Sequence, residues 1–457
     1  MLVVLGAVLL FLWLNGGDAA SELTLRLRGF DNTPRQITSS EGSGKITGEL
    51  SLFDGVPSDL PGSWPRFRGA NFDNISTEDI ELARSWPADG PEVLWSIDLG
   101  EGYAGAAILA GRVYIIDYDQ EKHADTIRCL SFEDGKEIWR YSYPIKVKRW
   151  HGMSRTVPVV TEKYVVTLGP KCHVTCLDSV TGEFKWMLNL VRQFNTTVPQ
   201  WYAGQCPIID DDKVIIAPGG DVLMMAVDCE TGEIIWKTPN PQGWKMTHSS
   251  IMPMEFMGKR MYVYCGGDKG SGGVVGISPD DGSILWQSKE WKMRIVVPSP
   301  VVADNDLIFL SAGYNEGSLM LRLIQEAGKI KAQPVFRLEQ KEFGAEQQTP
   351  IFYEGYIYGV RLDSQLVCLD TNGNIVWAST SANKFGKGPY IIADGLIFIM
   401  NDSGVLTVAK ATPDGYSQLA QAKVLDGIES WGPMALASGR LIVRDLKRMV
   451  CLDIAQK

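Results

Sequence analysis

A tryptophan that stands four residues after a glycine recurs along this chain, and the recurrence limits the folds that the chain can adopt. The clearest unit runs from Val174 to Trp186 and contains Gly182. Related units end at Trp139, Trp236, Trp286 and Trp377. Self-similarity at a period of about 20 to 50 residues is typical of an array built from one supersecondary unit.

Each unit predicts four short β-strands. The glycine suits a turn position with positive φ, the neighbouring Asp, Thr or Asn caps that turn, and the flanks are rich in Val, Ile and Leu, so each echo predicts a β-hairpin. A second two-strand pattern precedes each hairpin, as at Val157–Val160 and Lys163–Leu168. Four strands in about 45 residues is the signature of a β-propeller blade.

The ends of the repeat array predict how the ring closes. The last unit, from Pro433 to Asp453, contains only three strands, whereas an isolated strand at residues 93–97, which includes Trp95, precedes the first complete unit. We therefore predict an all-β fold, an eight-bladed β-propeller of four-stranded antiparallel blades, in which strand 93–97 completes the C-terminal blade and removes an open sheet edge. Seven blades is the alternative count, since the unit ending near Phe336 has no tryptophan.

The segments before the repeats predict export. Met1–Leu14 is an apolar run followed by small residues, so residues 1–20 are interpreted as a signal peptide or signal anchor. A buried strand or helix of the first domain is the alternative, and the run is shorter than the about 20 residues of a membrane span. Residues 21–63 are polar and Gly/Ser-rich, which indicates a linker or extended arm with one edge strand at Leu23–Arg28, residues 64–90 lead into the first blade, and residues 91–457 form the propeller.

Charge and motifs exclude several classes of function. Lys plus Arg number 44 against 54 Asp plus Glu, and the net charge of -10 disfavours a protein that neutralises the phosphates of nucleic acid. Cys172 and Cys176 have no second cysteine pair to complete a zinc site, so no metal site is predicted. The chain also has no Gly-x-Ser-x-Gly or His-Glu-x-x-His motif, and we predict no catalytic residue.

The repeat resembles the pyrroloquinoline-quinone (PQQ) repeat, whose pattern ends in Asp-x-x-Thr-Gly-x-x-x-Trp. Asp178–Trp186 and Asp228–Trp236 match this pattern fully, and the resemblance covers residues 91–457. The lead-in Trp64–Gly69 is also similar to the Trp-Pro-x-Phe-Arg-Gly motif of PQQ-like propellers. That family includes quinoprotein alcohol dehydrogenases and outer-membrane assembly lipoproteins of the BamB type, so shared blades leave function open.

The resemblance implies that the repeat tryptophans dock onto the neighbouring blade. The tryptophans to which this structural role is assigned are Trp95, Trp139, Trp186, Trp236, Trp286 and Trp377.

A dehydrogenase of this family implies a calcium ion, an Asp base and commonly two adjacent cysteines beside the quinone. The sequence contains no Cys-Cys pair and no Cys-x-x-Cys-His haem motif. We predict no cofactor, and PQQ with calcium is the alternative.

The links between successive blades carry aromatic and basic residues, which in a propeller converge on one face around the channel. Tyr103 lies in the first of these links. The candidate rim residues for a ligand or partner are Trp150, His151, Arg155, Trp201, Tyr202, Trp244, His248, Trp291, Arg294 and Trp431. Rings and cations together suit a small anionic, glycan or peptide ligand. The alternative interpretation is that these rings only pack between blades.

Together these patterns predict a periplasmic or extracytoplasmic protein, with membrane anchorage through the N-terminus as an option. Its predicted function is that of a non-catalytic binding or scaffolding module with a protein partner or membrane complex. The alternatives are a PQQ-dependent alcohol dehydrogenase-like quinoprotein and an accessory subunit of a membrane protein complex.

Overall fold

Eight antiparallel sheets arranged around one axis make up the computed structural model, which describes residues 46–268 and 271–457. Each sheet contains four strands that form one blade, and the innermost strands of neighbouring blades contact one another around the ring. The all-β, eight-bladed propeller predicted from the repeats is therefore confirmed, and the alternative count of seven is wrong.

In blades 1 to 7 the chain forms the innermost strand first and the outermost strand last. Blade 1 contains β4 (Ala107–Leu109), β5 (Arg112–Asp119), β6 (Ala124–Ser131) and β7 (Glu137–Pro144). Blade 2 contains β8 (Val159–Val160), β9 (Tyr164–Leu168), β10 (His173–Asp178) and β11 (Phe184–Asn189). Blade 3 contains β12 (Ile208–Asp210), β13 (Lys213–Ile216), β14 (Val222–Asp228) and β15 (Ile234–Pro239). Blade 4 contains β16 (Met252–Phe256), β17 (Lys259–Asp268), β18 (Ser271–Ile277) and β19 (Ile284–Ser288).

The second half of the ring follows the same order. Blade 5 contains β20 (Val301–Val302), β21 (Leu307–Ala312), β22 (Gly317–Glu326) and β23 (Lys329–Leu338). Blade 6 contains β24 (Ile351–Tyr353), β25 (Tyr356–Val360), β26 (Leu366–Asp370) and β27 (Ile375–Ala378). Blade 7 contains β28 (Tyr390–Ala393), β29 (Leu396–Met400), β30 (Val405–Lys410) and β31 (Gln418–Lys423). Blade 8 contains β32 (Ala435–Ala437), β33 (Arg440–Arg444), β34 (Arg448–Asp453) and β3 (Glu92–Asp98).

The first and the last strands of the propeller sequence, β3 and β34, meet in blade 8. β3 pairs antiparallel with β34, so that Trp95 lies opposite Cys451 and Ser96 opposite Val450. The predicted closure by strand 93–97 is confirmed, and the outermost strand of the last blade comes from the start of the propeller.

Seven of the eight blades carry an aromatic ring on the outermost strand, whereas the outermost strand of blade 7, β31, carries none. In blade 2, the Trp186 Nε1 donates to the Cys229 carbonyl at 2.7 Å, and a Cβ added to Gly232 would lie 2.7 Å from the Trp186 ring. Gly232 also has φ 74°, so a side chain at this turn meets both backbone strain and a steric clash. Trp95, Trp139 and Trp236 contact Gly135, Gly182 and Gly282 of the following blade in the same way.

Two units lack the tryptophan, and the one in blade 5 uses phenylalanine instead. Phe336 of β23 lies opposite Met320, and a Cβ on Gly373 of blade 6 would lie 2.8 Å from its ring. Trp286 and Trp377 follow a different pattern: the Trp286 Nε1 contacts the Met261 Sδ at 3.1 Å, and the Trp377 Nε1 donates to the Thr412 carbonyl at 2.9 Å.

Residues before β3 line the interior of the ring. Residues 64–76, which we call the channel segment, run along the free edges of the innermost strands. Trp64 bridges Ile108 of β4, and β2 (Ile75–Ser76) pairs parallel with β28. A further strand, β1 (Glu49–Leu52), pairs with the outermost strand β7 of blade 1. Residues 46–52 of the predicted arm thus join a blade, whereas its other predicted strand, at residues 23–28, lies outside the described residues.

Alternation of the strands divides the loops between two faces. The first face carries the links from each outermost strand to the next blade and the hairpin turns between the second and third strands, and the second face carries the other hairpin turns. One short helix, α1 (Leu190–Phe194), lies in a first-face link and is capped by the Asn189 side chain. Over the two described ranges, no helix is long and apolar enough to cross a membrane.

We predict that Trp186→Ala lowers the free energy of unfolding by about 3 to 5 kcal/mol, because truncation of a buried tryptophan leaves a cavity. Phe184→Ala, on the same strand at a side chain that is 39% exposed, is the matched control and should cost less than about 1 kcal/mol. Equal losses in the two variants, measured by denaturant unfolding, would contradict the docking role.

Deletion of residues 91–100 removes β3 and should convert the monomer into self-associating species, because β34 then presents an unpaired edge. Light scattering after size-exclusion chromatography measures this outcome. A chain that lacks residues 46–52 loses only the extra strand β1 and should stay monomeric. A monomeric protein with unchanged melting after deletion of 91–100 would refute closure by β3.

Candidate functional site

A cavity of about 130 Å³ opens on the first face at the mouth of the channel. We call it the mouth cavity. Its lining residues are Phe67, Tyr103, Arg155, Trp201, Gly204, Cys206, His248, Val297, Tyr314, Gln347, Gln348, Thr349, Trp431 and Pro433. Phe67 belongs to the channel segment, whereas the others come from seven of the eight links between blades and from one hairpin turn. The cavity is therefore assembled from many separate parts of the chain.

Arg68 holds the channel segment in place beneath this cavity. Its guanidinium donates to the carbonyls of Thr349 and Pro350 at 3.2 and 3.1 Å and to those of Phe72 and Asp73 at 2.9 and 3.0 Å. Burial lowers the pKa of Arg68 to about 10, so the group remains a cation at neutral pH. These four hydrogen bonds fix the position of the neighbouring Phe67.

One wall of the cavity is a stacked ring pair. The rings of Tyr103 and Trp431 lie 5.4 Å apart between centroids with an interplanar angle of 27°. The Tyr103 hydroxyl donates to Glu429 at 2.5 Å, and the Trp431 Nε1 donates to Asp402 at 2.7 Å. Burial, and then the bond to Glu429, raise the pKa of Tyr103. Each carboxylate thus has a ring donor that holds the stack in a fixed orientation.

A second aromatic group faces the cavity from blades 2 to 5. The Trp201 ring stacks at 6.1 Å on His248 and at 6.2 Å on Tyr314. Trp201 and Tyr314 have φ of 65° and 58°, a left-handed conformation that bulky residues seldom adopt. Strain of this kind persists only where surrounding contacts enforce it, and it clusters at binding sites.

Arg155 lies between the two aromatic groups. Its Nε donates to the Trp201 carbonyl and its Nη2 to the Gly152 carbonyl at 3.0 Å, while its Cζ lies 4.9 Å from the Tyr103 ring centroid. Among the described residues, no carboxylate lies within ion-pair distance of Arg155, and its Nη1 has no hydrogen-bond acceptor. Burial lowers the pKa of Arg155 to about 10. Over the two described ranges, this guanidinium thus has no ion-pair partner, and the charge of Glu429 acts on it only from a longer distance.

The charge of Arg155 also acts on His248. Burial first, and then the positive charge of Arg155, lower the pKa of His248 to about 4. The imidazole is neutral at pH 7 and can donate or accept one hydrogen bond.

The structure brings four predicted rim residues to the mouth cavity, namely Arg155, Trp201, His248 and Trp431. Tyr202 lies beneath the rim, where its hydroxyl donates to the Lys148 carbonyl. Trp244 and Trp291 lie in the hydrophobic cores, with 4% and 2% of their surfaces exposed. Trp150 and His151 stand on an exposed loop, and Arg294 is exposed beside Glu316.

Sequence reasoning missed Phe67, Tyr314 and the Gln347–Gln348 pair. Tyr314 stands in the hairpin between β21 and β22, which reaches the first face although it is not a link between blades. Phe67 had a signal in the Trp-Pro-x-Phe-Arg-Gly motif, but the path of that motif through the ring was not apparent from sequence.

The lining does not fit the calcium and quinone centre of a PQQ dehydrogenase. Calcium prefers several carboxylate and amide oxygens, and none of the residues that line the mouth cavity carries a carboxylate. Throughout the part of the chain that the structure describes, no group of three or more His, Cys, Asp or Glu side chains is placed to hold a metal ion. Arg155 suits a quinone carboxylate, but the ligands for the associated cation are missing from the cavity.

The fold and the repeats define the class of this protein as a PQQ-like β-propeller. The family described as outer membrane protein assembly factor BamB matches residues 123–379, more than half of the chain, and the chain belongs to this family. A search of curated protein sequences found no match.

Solved structures share the fold at low identity. BamB from Moraxella catarrhalis is 14% identical, with 79% of this chain and 99% of that chain covered and a TM-score of 0.55. A europium-containing methanol dehydrogenase is 14% identical, with 84% and 89% covered and a TM-score of 0.61. The quinohemoprotein alcohol dehydrogenase from Comamonas testosteroni is 13% identical, with 86% and 81% covered and a TM-score of 0.61. Because the identities are this low and a BamB protein and two dehydrogenases both appear, these similarities define the fold alone.

The low pKa of His248 predicts an acid-sensitive contribution to stability. The folded state keeps this imidazole neutral down to about pH 4, whereas the unfolded chain takes up the proton near pH 6.5, so stability falls as pH drops between these values. His248→Gln should remove this loss. Between pH 7.5 and pH 5, the free energy of unfolding should fall by up to about 2 kcal/mol more in wild type than in the variant. His173, whose pKa burial also lowers to about 4, is present in both wild type and the variant, so its contribution is the same in the two proteins. Parallel stability curves would contradict the assignment.

Proposed function

We propose that this chain is an exported, non-catalytic propeller that acts as a binding or scaffolding module, and that its mouth cavity recognises an anionic group. The observation that carries the proposal is the Arg155 guanidinium, which lies in an aromatic cavity and has no ion-pair partner in the part of the chain that the structure describes.

A largely buried cation is costly unless an opposite charge or sufficient hydrogen bonds compensate for lost hydration. Arg155 receives partial compensation from backbone carbonyls and from the face of the Tyr103 ring. A ligand carboxylate or phosphate that reached the unused Nη1 would supply the missing charge. Such a charge-assisted hydrogen bond is stronger than a neutral one.

The aromatic walls restrict the shape of the ligand. Tyr103 with Trp431 on one side, and Trp201 with His248 and Tyr314 on the other, present flat surfaces to the cavity. Flat apolar walls with one cation suit a small group that combines a planar or apolar body with a single negative charge. A side chain of a protein partner or a free small molecule can present this chemistry.

Family membership supports the scaffolding part of the proposal. The family is described as an outer membrane protein assembly factor, and the apolar run Met1–Leu14 is typical of an export signal or anchor. We therefore propose a periplasmic or other extracytoplasmic location and a protein partner. The role of an accessory subunit in a membrane complex is a specific form of this function.

The alternative of a PQQ-dependent alcohol dehydrogenase has less support. It agrees with the shared fold of the dehydrogenases, but the donor set of the mouth cavity lacks the carboxylates that a calcium-bound quinone requires. We accordingly propose no resident cofactor and no catalytic residue.

We predict that benzoate raises the melting temperature of the protein in a concentration-dependent way and that the isosteric but neutral benzamide has a much smaller effect. Ligand that binds only the folded state must stabilise it. In Arg155→Met the affinity for benzoate should fall at least about tenfold, which corresponds to about 1.4 kcal/mol.

Two further variants control for altered folding. Arg294→Met removes an exposed first-face arginine outside the mouth cavity and should leave benzoate affinity unchanged, whereas Arg155→Lys keeps the charge and should retain part of the affinity. Equal responses to benzoate and benzamide, or unchanged benzoate affinity in Arg155→Met, would refute the anion site.

A further inference from the structure

The link between blades 1 and 2 contains a basic loop, residues 145–151, with an alternating pattern. Val147 is buried and packs with Tyr118, Met153 and Tyr202 in a small cluster of its own, and the half-buried Ile145 packs against that cluster. Lys146 lies between these two residues, and Lys148 and Arg149 follow Val147. All three basic residues are exposed. The loop thus turns its apolar residues inward and its basic residues toward solvent.

Hydrogen bonds hold the backbone of the basic loop in place. The Tyr118 hydroxyl donates to the Ile145 carbonyl and accepts from the Val147 N–H, both at 3.0 Å. The Tyr202 hydroxyl donates to the Lys148 carbonyl, and the Ile145 N–H donates to the His123 carbonyl at 2.9 Å. Such a loop pays little ordering entropy when it meets a surface.

An exposed tryptophan stands at the end of the basic cluster. Trp150 is 36% exposed, and His151 after it has φ 52°, which turns the chain back toward the propeller. An exposed indole beside lysine and arginine is the combination found at membrane interfaces, where the ring lies at the headgroup level and the cations contact anionic lipid.

The charge of the loop is opposite to that of the protein as a whole. The chain has a net charge of -10, whereas residues 145–151 contain no acidic residue. Glu101 is shared between Arg149 at 2.5 Å and Lys447 at 3.2 Å, and the Arg149 side chain is 69% exposed. The loop itself carries three exposed cations and no carboxylate, so its own formal charge is positive.

The described part of the chain begins beside this loop. Ile46 and Ile145 pack against the same core cluster, and Glu49 of β1 lies opposite Ser142 near the end of β7. Ile46 therefore enters the propeller on the first face, at the same end of blade 1 as the basic loop.

We infer that the basic loop docks on an anionic lipid surface, with Trp150 at the interface and Lys146, Lys148 and Arg149 over the lipid charges. This contact orients the first face, and hence the mouth cavity, toward the bilayer. The inference goes beyond the binding function proposed above and does not depend on any ligand of the mouth cavity.

Co-sedimentation of the full chain with lipid vesicles tests the docking surface. Vesicles that contain phosphatidylglycerol should bind the protein more tightly than pure phosphatidylcholine vesicles, and the difference should shrink as salt is raised. The double variant Lys146→Gln/Lys148→Gln should lose more than tenfold of the preference for anionic vesicles. The matched control is Lys163→Gln/Lys259→Gln, which removes two exposed lysines from the second face.

Fluorescence separates loop contact from binding by the N-terminal segment. Brominated phosphatidylglycerol should quench part of the tryptophan emission, and Trp150→Phe should remove most of the quenched part, while Met257→Ala on the second face should not. Unchanged quenching in Trp150→Phe, or equal anionic preference in the lysine variant and wild type, would overturn the inference. Loss of benzoate binding with intact lipid docking would count only against the mouth cavity.

Discussion

Contact between an aromatic ring on one blade and a glycine turn on the next is the interaction on which the rest of the structure depends. At Trp186 the indole lies over Gly232 and donates to the Cys229 carbonyl, so both position and rotation of blade 3 relative to blade 2 are fixed. Repetition of such contacts around the ring, with closure by β3, sets the geometry in which the first-face links meet. The mouth cavity is a consequence of that geometry, because its walls come from loops of several blades.

The channel segment adds a second constraint. It pairs with the innermost strands at Ile108 and Ile392, and Arg68 ties it to carbonyls beside blade 6. These hydrogen bonds pair backbone groups at the free edges of the innermost strands, which otherwise have no partner within their own blade. Phe67, which follows this path, consequently has a fixed place in the lining of the mouth cavity. The propeller therefore presents a shallow aromatic site at its first face.

The period of the repeats was sufficient to predict the blades, their number and their closure, because strand alternation and turn glycines are local signals that each unit restates. The blade 5 repeat without tryptophan was predicted from its strands alone, and Phe336 proved to occupy the docking position. The site was less predictable. Trp201 and Trp244 stand in similar links, yet one ring faces the cavity and the other lies in a core, since left-handed residues such as Trp201 redirect the loop. Phe67 lies far from the other wall residues in sequence, and no local pattern indicates its path.

We propose a propeller that binds rather than catalyses, with a rigid ring, a cation at Arg155 that has no ion-pair partner among the described residues, and an oriented basic loop. The most direct measurement is a titration of the purified protein with PQQ in the presence and absence of Ca²⁺, followed by melting temperature and by dye-linked alcohol oxidation. We predict no calcium-dependent stabilisation and no turnover, because the lining of the mouth cavity lacks carboxylate ligands. A calcium-dependent rise in melting temperature together with alcohol oxidation would contradict this proposal and define the protein as an enzyme.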